Sequence, residues 1–518
     1  MNEIIHTTVL GGDKINWHTW SKVTLEKAKA SDKPLFVFIA YSGSDGSRLM
    51  SEESFVDDDI VEIINESFVA VLVDKNIYPA VADFYIKSIR ATGEAGGWPL
   101  LAFCEPTGRP YFLGTYYSAT SKFGKPPFLE VCQTMARVYQ SKSERVKSSC
   151  VAMLKDVENI YDSFKSGTTM DASELGESLH VGAAKKLLEF WDPVNGGFGK
   201  KPKFPFLYAL SYLSKTRHIA FGEEFLFSFF YQCNQMAKGA ILDSEAGGIS
   251  SYSRSADWNS PVPEKSLVDQ GLLLQVYSKA YELTENDTDK GRYKGVLEST
   301  LKALKETFWA ENGGFYHYVS QELEGRTTPK ICFSNAAALL GLTTLSDVLP
   351  STELDSFIEE VFDWNTSAFL SAGGNLLRVS GEGFEGMCGD YGAFIEMCLK
   401  MSGRKGRFRG ALDLAKTLGE AMVSKFVSSE HGAMSIEPLA ENSLLPIAPM
   451  SYEDEEHPSD IAYGLKALMG LARHTGNDRY SSWIEGYLCS KADLARQRPL
   501  QMTHVLDTAL EFYYESHA

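Results

Sequence analysis

Residues 247–270, GGISSYSRSADWNSPVPEKSLVDQ, decide the architecture of the larger part of the chain. The stretch opens on Gly247-Gly248, a pair that accepts positive φ after a helix and lets two backbone segments approach closely. It ends on charged side chains at the head of an apolar helical run, namely Glu264, Lys265 and Asp269. The stretch therefore predicts a turn, a loop and the start of a helix with charged first residues.

The same Gly-Gly pair recurs along the chain. Copies begin at 196, 247, 313 and 373, at intervals of 51, 66 and 60 residues, and residues 431–434 (HGAM) look like a degraded fifth copy. A period of about 60 residues fits two helices and two loops, so the repeating unit is a helical hairpin. The region from about residue 170 to 518 then holds roughly six hairpins.

Composition limits the classes of partner. The chain has 518 residues, 44% of them hydrophobic, and a net charge of −18 without clustered Lys or Arg, which argues against nucleic acid and anionic membranes. The first residues carry no signal-peptide pattern and no apolar run approaches membrane-spanning length, so a cytoplasmic protein is predicted. The 8 cysteines show no metal-ligand or disulfide spacing, so neither a metal site nor a cofactor is predicted.

The first part of the chain has a different pattern. Residues 35–41 (LFVFIAY) form an apolar run of strand length, and a second strand is predicted at 69–73 after an intervening helix. Pro99 then introduces a predicted hairpin of LLAFC and YFLGTYY. Two β-α units followed by a hairpin is the element order of a thioredoxin-like fold.

Four motifs in this order carry a family resemblance: the run from Ile39 to Phe55, GGWPLLAFCEPTGRPYFLGTYY at 96–117, GGFGKKPKFP at 196–205 and PVPEKSLVDQG at 261–271. They resemble the two-domain family that includes the spermatogenesis-associated thioredoxin-fold proteins and their bacterial relatives. The resemblance implies a thioredoxin-like α/β domain over residues 1–165. It also implies an all-α (α/α)6 toroid over 166–518, similar to the barrels of N-acylglucosamine 2-epimerases and six-hairpin glycosidases.

The chain departs from the family pattern at the redox motif. Where the family has Cys-His-Trp-Cys-His, this chain has Ser44-Asp45-Gly46-Ser47-Arg48. Thiol–disulfide exchange needs a thiolate and a second sulfur, so no redox activity is predicted. Pro99 stands where the family implies a cis proline beside this loop. The degenerate loop is therefore a candidate surface for a protein partner, with packing of the domain as the alternative.

A second departure lies in the barrel. The family pattern implies a histidine and a phenylalanine directly before Glu264, and this chain has Val262 and Pro263. Sugar chemistry in such barrels uses carboxylates as acid and base and aromatic rings as stacking surfaces. We predict Glu264 and Asp390 as the catalytic pair. The predicted substrate-binding residues are Lys203, Phe204, Trp258, Lys265, Asp269 and Tyr391.

An alternative for these acidic residues stays open. Glu264 and Asp269 are also suited to cap a helix, and Asp390 to bond loop backbone across the barrel. The loop histidines His317 and His457 are interpreted as surface or helix-start residues. The acidic run 453–457 (EDEEH) is interpreted as a solvated loop, because its carboxylates are consecutive and not spaced as in a calcium loop.

The sequence therefore predicts a protein that binds or modifies a mono- or oligosaccharide in the barrel cleft, as an epimerase or glycosidase would. One alternative is a pseudoenzyme that serves as a binding or scaffold protein. A thiol–disulfide oxidoreductase is a second alternative, which the missing cysteines disfavour.

Overall fold

The structure is a computed structural model of the chain. It describes residues 13–41, 43–122, 124–141, 144–165, 168–320, 328–381, 383–404, 408, 410–428, 434–438, 444–450, 453–455 and 457–516. The contacts divide the chain into two compact units. Unit 1 comprises Met1–Lys165 with Leu439–Met450, and unit 2 comprises Ser166–Pro438 with Ser451–Ala518.

Unit 1 is built on a four-stranded sheet in the order β2-β1-β3-β4. Strand β1 pairs in parallel with β2 and antiparallel with β3, and β3 pairs antiparallel with β4. All residues of β1 are buried, as expected for a central strand covered on both faces. The strands are β1 (Leu35–Ala40), β2 (Val69–Asp74), β3 (Leu100–Cys104) and β4 (Pro110–Gly114).

The helices of unit 1 complete a thioredoxin-like fold, which confirms the prediction. Helix α3 begins after Asp57, because the Asp57 carboxylate caps the helix by accepting hydrogen bonds from the backbone N–H groups of Asp59 and Ile60. The helices are α1 (Lys22–Ser31), α2 (Asp45–Glu53), α3 (Asp58–Ser67), α4 (Pro79–Ala91), α5 (Phe128–Gln140) and α6 (Glu144–Lys165).

Unit 2 is a ring of helical hairpins. Its described residues form α7 (Glu177–Leu188), α8 (Leu207–Lys215), α9 (Gly222–Lys238), α10 (Leu267–Leu283), α11 (Asp287–Ala303), α12 (Cys332–Val348), α13 (Thr352–Phe369), α14 (Cys388–Ser402), α15 (Ala411–Phe426), α16 (Asp460–Thr475), α17 (Asp478–Gln497) and α18 (Thr503–Ser516). A short antiparallel pair, β5 (Glu264–Ser266) with β6 (Tyr318–Ser320), lies among the loops.

The even-numbered helices of unit 2 form the inner wall. Each contacts the next in the order α8, α10, α12, α14, α16, α18, and α18 contacts α8, which closes the ring. The odd-numbered helices pack outside them, and every inner helix has an outer neighbour. The arrangement confirms the predicted (α/α)6 toroid.

A Gly-Gly pair marks the turn after each of the outer helices α7, α9, α11 and α13. Gly247 and Gly248 have φ of +79° and +76°, and Gly313 and Gly314 have the same pair of values. A Cβ on Gly247 would lie 2.1 Å from the backbone oxygen of Ser299 in α11. The turn therefore needs glycine both for its left-handed backbone and for its close approach to the next outer helix.

A β-bridge spans each copy of this turn. The bridges join Trp191 to Phe198, Leu242 to Ile249, Trp309 to Phe315, Leu370 to Leu376 and Val427 to Met434. The degraded fifth copy predicted at 431–434 falls largely outside the described residues, which resume at 434. The bridge to Met434 nevertheless follows the spacing of the other four.

Replacing Gly247 by Ala is expected to destabilise unit 2 by about 3–5 kcal/mol, because the new Cβ meets backbone and the left-handed φ adds strain. Gly374→Ala is the matched control: Gly374 has φ +78° and no atom within 4 Å of a built Cβ. It should lose only about 1–2 kcal/mol. Urea unfolding followed by circular dichroism measures both, and equal losses would contradict the close-approach argument.

Candidate functional site

The ring of inner helices encloses two adjoining cavities. The upper cavity, about 190 Å³, extends from the starts of α8, α16 and α18 to Thr344 of α12 and Lys400 of α14. The lower cavity, about 480 Å³, lies where α8, α10, α12 and α18 end. Both are lined by Ser211, Gln275 and Thr344, so they share a wall. Lining residues recur every three or four positions along a helix, which places them on one helical face.

The strongest functional group of the upper cavity is a histidine held by a buried carboxylate. The His504 Nδ1 lies 2.8 Å from the Asp454 Oδ1, and the Asp454 Oδ2 accepts the backbone N–H of His504 at 2.9 Å. His504 is buried and lines the cavity. Its Nε2 has no hydrogen-bond partner among the described residues. Because Nδ1–H donates to the carboxylate, the neutral ring presents a lone pair at Nε2.

Hydrogen bonds within the loop that carries Asp454 hold its carboxylate against His504. Asp454 is buried, and its Oδ1 also accepts the backbone N–H of Ser459 at 2.9 Å, just before α16 begins. For this residue, the interpretation of 453–457 as a solvated acidic loop is wrong. Protein groups bond both oxygens of the Asp454 carboxylate, which holds the loop in place and orients the histidine.

Glu396 supplies an acid in the same cavity. It lies on α14 and is partly exposed to the lumen. Burial among protein atoms raises the pKa of Glu396 to about 7, with Lys466 acting in the opposite direction. No hydrogen bond to its carboxyl group is found within the described part of the chain. A carboxyl group with this pKa is partly protonated at neutral pH and is suited to donate a proton.

An ion network separates the two cavities. The Asp507 Oδ2 accepts a hydrogen bond from the Lys215 Nζ at 2.9 Å and lies 2.8 Å from the Lys466 Nζ, and the Lys215 Nζ is also 2.8 Å from the Oδ1. The Lys215 Nζ also lies 2.6 Å from the Glu511 Oε1. Burial opposes the charged form of Asp507, but the two lysines outweigh it and hold its pKa well below the usual range. Asp507 therefore stays ionised at neutral pH, whereas Glu396 is partly protonated.

Two tyrosines add ring surface and hydroxyl groups. The Tyr208 hydroxyl donates to the backbone oxygen of Glu455 at 2.9 Å, which ties α8 to the loop that carries Asp454. The Tyr463 hydroxyl is buried without a hydrogen-bond partner in the described segments. Both side chains line the upper cavity.

The structure does not bring the predicted catalytic pair to this cavity. Asp390 is fully buried at the start of α14, where its Oδ2 accepts from Arg378 and from the backbone N–H of Met387, each at 2.8 Å. Its Oδ1 accepts the N–H of Phe333 in α12 at 3.0 Å. The alternative given above, a carboxylate that bonds loop backbone across the barrel, describes these contacts.

Glu264 and Lys265 lie in β5. The Glu264 Oε1 accepts from the Ser251 hydroxyl at 3.3 Å, and the Lys265 Nζ lies 2.7 Å from both the Asp243 Oδ2 and the Gly247 oxygen. Lys265 thus holds the Gly-Gly turn of its own repeat. Neither Glu264 nor Asp390 is among the residues that line the two lumen cavities.

The other predicted binding residues near the first repeat are packed into it. The Lys203 Nζ lies 2.6 Å from the Asp192 Oδ2, in the same relation to its turn as Lys265. Trp258 is buried, and its Nε1 donates to the backbone oxygen of Asn195 at 2.8 Å. Phe204 packs on Tyr252, with ring centroids 5.0 Å apart.

Two predicted residues remain. Tyr391 is buried against Phe426, with ring centroids 5.4 Å apart. Asp269 lies near the start of α10, where its Oδ1 is 3.3 Å from the His457 Nε2. The same nitrogen is 3.2 Å from the Ser266 hydroxyl. Since one ring nitrogen serves both partners, this cluster is not a nucleophile–base–carboxylate triad, which uses the two nitrogens separately.

The degenerate redox loop lies at the start of α2 in unit 1. The Ser44 hydroxyl donates to the backbone oxygen of Trp98 at 3.1 Å and accepts the N–H of Ser47 at 3.2 Å. The Trp98–Pro99 peptide bond is cis. Ser47 is fully buried, and Asp45 is 3.9 Å from Arg48. Ser44, Asp45 and Ser47 thus lie at the start of α2 and Pro99 in a second segment that packs on it, with hydroxyls where the family has thiols.

The described residues contain no group of three His, Cys, Asp or Glu side chains arranged to hold a metal ion. Within the same residues, no helix combines the length and apolar character needed to cross a bilayer.

Comparisons with known proteins agree with this architecture. Residues 9–158 match the family model Thioredox_DsbH, described as a protein of unknown function, DUF255. Spermatogenesis-associated protein 20 of Rattus norvegicus is 28% identical over 313 residues, and the Homo sapiens protein gives the same values. Each match covers 58% of this chain and 38% of the relative's length. The matches confirm the resemblance drawn from the sequence motifs.

Solved structures share the fold of the second unit. A D-mannose isomerase is 13% identical with a TM-score of 0.50, and the match covers 66% of this chain and 98% of that one. A family 76 glycoside hydrolase (mannosidase) of Bacteroides thetaiotaomicron VPI-5482 is 10% identical, with the same TM-score and the same coverage. At these identities the likeness concerns the fold alone.

The raised pKa of Glu396 has a consequence for stability. Between its ordinary value of 4.5 and about 7, the native state binds more protons than the unfolded state, so the free energy of unfolding falls as pH rises through this window. Glu396→Gln stays neutral, and we expect it to be more stable than the wild type at pH 8 by about 1–3 kcal/mol, allowing for partial exposure.

Thermal unfolding at pH 8 and pH 5 measures this difference, which should shrink by at least half at pH 5. Glu298→Gln, on the exposed face of α11, is the matched control and should show no such pH dependence. A Glu396→Gln variant that is less stable than the wild type at pH 8 would contradict the assignment.

Proposed function

We propose that unit 2 binds and chemically modifies a mono- or oligosaccharide in the upper cavity, with His504 as the base and Glu396 as the acid. The observation that carries this proposal is the Asp454–His504 pair. The His504 Nε2 is buried, has no hydrogen-bond partner among the described residues and belongs to a cavity-lining side chain. A buried base that no protein group satisfies is costly unless a ligand or water completes it.

The chemistry suited to this pair is proton transfer beside a carbonyl group. The His504 Nε2 would take the proton from the carbon next to the carbonyl of a reducing sugar, while protonated Glu396 gives its proton to the carbonyl oxygen. An enediol results. The proton held by His504 then adds to a carbon of the enediol while the Glu396 carboxylate takes back a hydroxyl proton. Addition to the former carbonyl carbon gives an isomer, and addition to the original carbon from the opposite face gives an epimer. Asp454 keeps the imidazole in the reactive tautomer and stabilises its protonated form.

The lining of the cavity supplies binding groups for hydroxyl-rich ligands. Gln275, Thr343 and Thr344 offer donors and acceptors on the inner faces of α10 and α12. Tyr208 and Tyr463 offer ring surface. A D-mannose isomerase and a family 76 mannosidase share this fold, which supports a sugar ligand by analogy of fold.

Hydrolysis of a glycosidic bond is a second candidate, favoured by one observation. Glu396 and Asp507 line the same cavity, and their environments move their pKa values in opposite directions. A protonated and an ionised carboxyl group are the pair that glycoside hydrolysis requires. Because two lysines engage Asp507, we rank hydrolysis second.

Purified protein in D₂O with D-glucose, D-mannose, cellobiose and mannobiose tests the proposal by NMR. We expect new anomeric signals together with exchange of the proton beside the carbonyl carbon. His504→Asn should lower the rate by at least about 100-fold, because general base catalysis contributes that much. His474→Gln, at an exposed histidine near the end of α16, is the control and should match the wild type.

The possible results separate the hypotheses. Cleavage of the disaccharides without deuterium exchange would favour hydrolysis. Line broadening without turnover would favour a sugar-binding pseudoenzyme. Full activity of His504→Asn, or its loss in Glu264→Gln alone, would overturn the assignment to the upper cavity.

For unit 1 we propose that the Ser44–Ser47 loop performs no thiol–disulfide exchange. The hydroxyls at these positions cannot form the mixed disulfide on which exchange depends. The cysteines of the described chain are all free, and burial raises the pKa of Cys104, Cys132 and Cys150 well above the usual range of a thiol. Binding of a protein partner beside Pro99 remains the alternative role for this loop.

An insulin reduction assay with dithiothreitol tests this second proposal. The wild type should not accelerate the reduction above background, whereas a Ser44→Cys/Ser47→Cys variant should, because both positions share the first turn of α2. A Ser44→Cys variant alone is the control and should lack a resolving sulfur. Acceleration by the wild type would show that another thiol performs the exchange.

A further inference from the structure

The large apolar side chains that unit 2 leaves exposed are concentrated in one hairpin. Within the described residues of this unit they are Phe190, Val194, Phe221 and Phe227, with exposed fractions of 49%, 72%, 53% and 65%. Single exposed apolar residues are common on protein surfaces, but a cluster marks an interaction site. All four belong to the segment from the end of α7 to the middle of α9.

Ring contacts connect one of these side chains, Phe227, to two further aromatic rings. Tyr231 stacks on Phe227 with centroids 5.8 Å apart and lies 6.5 Å from the Trp191 ring. Its hydroxyl donates to the backbone oxygen of Val194 at 2.9 Å. We call Phe190, Trp191, Val194, Phe227 and Tyr231 the aromatic patch. Phe221 is left out because the Lys185 Nζ covers its ring at 3.4 Å.

The aromatic patch has charges of opposite sign at its two ends. Glu223, Phe227 and Tyr231 are four residues apart on α9, so they form one stripe with an acidic end at Glu223 and Glu224. At the other end, the turn that starts at Gly196 lies against Tyr231, and Lys200 and Lys201 follow it as exposed residues. The acidic end therefore precedes the aromatic rings on α9. The basic end directly follows the turn that packs on Tyr231, and the Gly199 N–H of that turn donates to the backbone oxygen of Phe190 at 2.9 Å.

We propose that the aromatic patch is the interface of a two-fold symmetric dimer of this chain. A two-fold axis perpendicular to the stripe places the two α9 helices antiparallel. The acidic end of each copy then faces Lys200 and Lys201 of the other copy, so the same contact occurs on both sides of the axis. The surface is self-complementary, which favours a second copy over an unrelated partner, and its Trp, Tyr and Phe content suits the core of an interface.

The interface lies on outer helices and their turn, away from the cavities, and it does not depend on the proposed activity. A stable interface of this kind buries about 800 Å² on each copy. The aromatic patch and its charged ends supply its centre and its rim, where charges set orientation more than affinity.

Sedimentation velocity on the full chain measures the association. We expect a species of twice the 57.4 kDa chain mass at about 10 µM protein, and a monomer for Phe227→Ser. Val151→Ser removes an equally exposed apolar side chain from α6 of unit 1 and is the matched control, which should remain dimeric. Circular dichroism verifies that each variant folds.

A charge exchange tests the orientation. Glu223→Lys with Glu224→Lys should weaken the dimer by about tenfold or more, and adding Lys200→Glu with Lys201→Glu should restore it, because the pairs are then exchanged. A wild type that remains monomeric up to about 50 µM overturns the proposal. So does a dimer that Phe227→Ser leaves intact, since its interface must then lie elsewhere.

Discussion

The barrel depends on a left-handed Gly-Gly turn that a lysine fixes from the following loop. Lys203 and Lys265 bind an aspartate that opens the turn, and Lys330 binds Asn312 and the oxygen of Gly313 in the third repeat. The turn directs the chain from the outer wall towards the inner wall. Because the lysine fixes this turn, the loop that leads into the following inner helix has a defined conformation. Apolar packing between the helices can then close the ring.

Closure of the ring also creates the polar interior. The faces that the inner helices turn to the lumen carry polar and charged side chains together with apolar ones such as Leu272 and Leu340. On α18 that face carries His504, Asp507 and Glu511, and the ions among them are matched by lysines from α8 and α16. A carboxyl group without such a match, Glu396, has its pKa raised by burial. The same interior thus holds ionised and neutral acids side by side.

Much of the fold was visible in the sequence, because glycine pairs at a regular spacing and alternating apolar runs are local signals. The site was less visible. The sequence does not distinguish an acidic residue that caps a helix from one at the same position that acts on a ligand. Asp390 accepts hydrogen bonds from backbone N–H groups, as a capping residue does. His504 had one signal, a polar stripe at spacings of three and four on an apolar helix. Its partner Asp454 was hidden in a run of acidic residues.

The closed ring has a consequence for the order of folding. The seam between its ends joins residues almost 300 positions apart, as in the hydrogen bond from the Tyr514 hydroxyl to the Lys215 oxygen, with a separation of 299. Contacts of such separation form late, since loop closure costs entropy before it is rewarded. During synthesis the growing chain is therefore an open arc, and Lys215 pairs with its carboxylate partners only after α18 has been made.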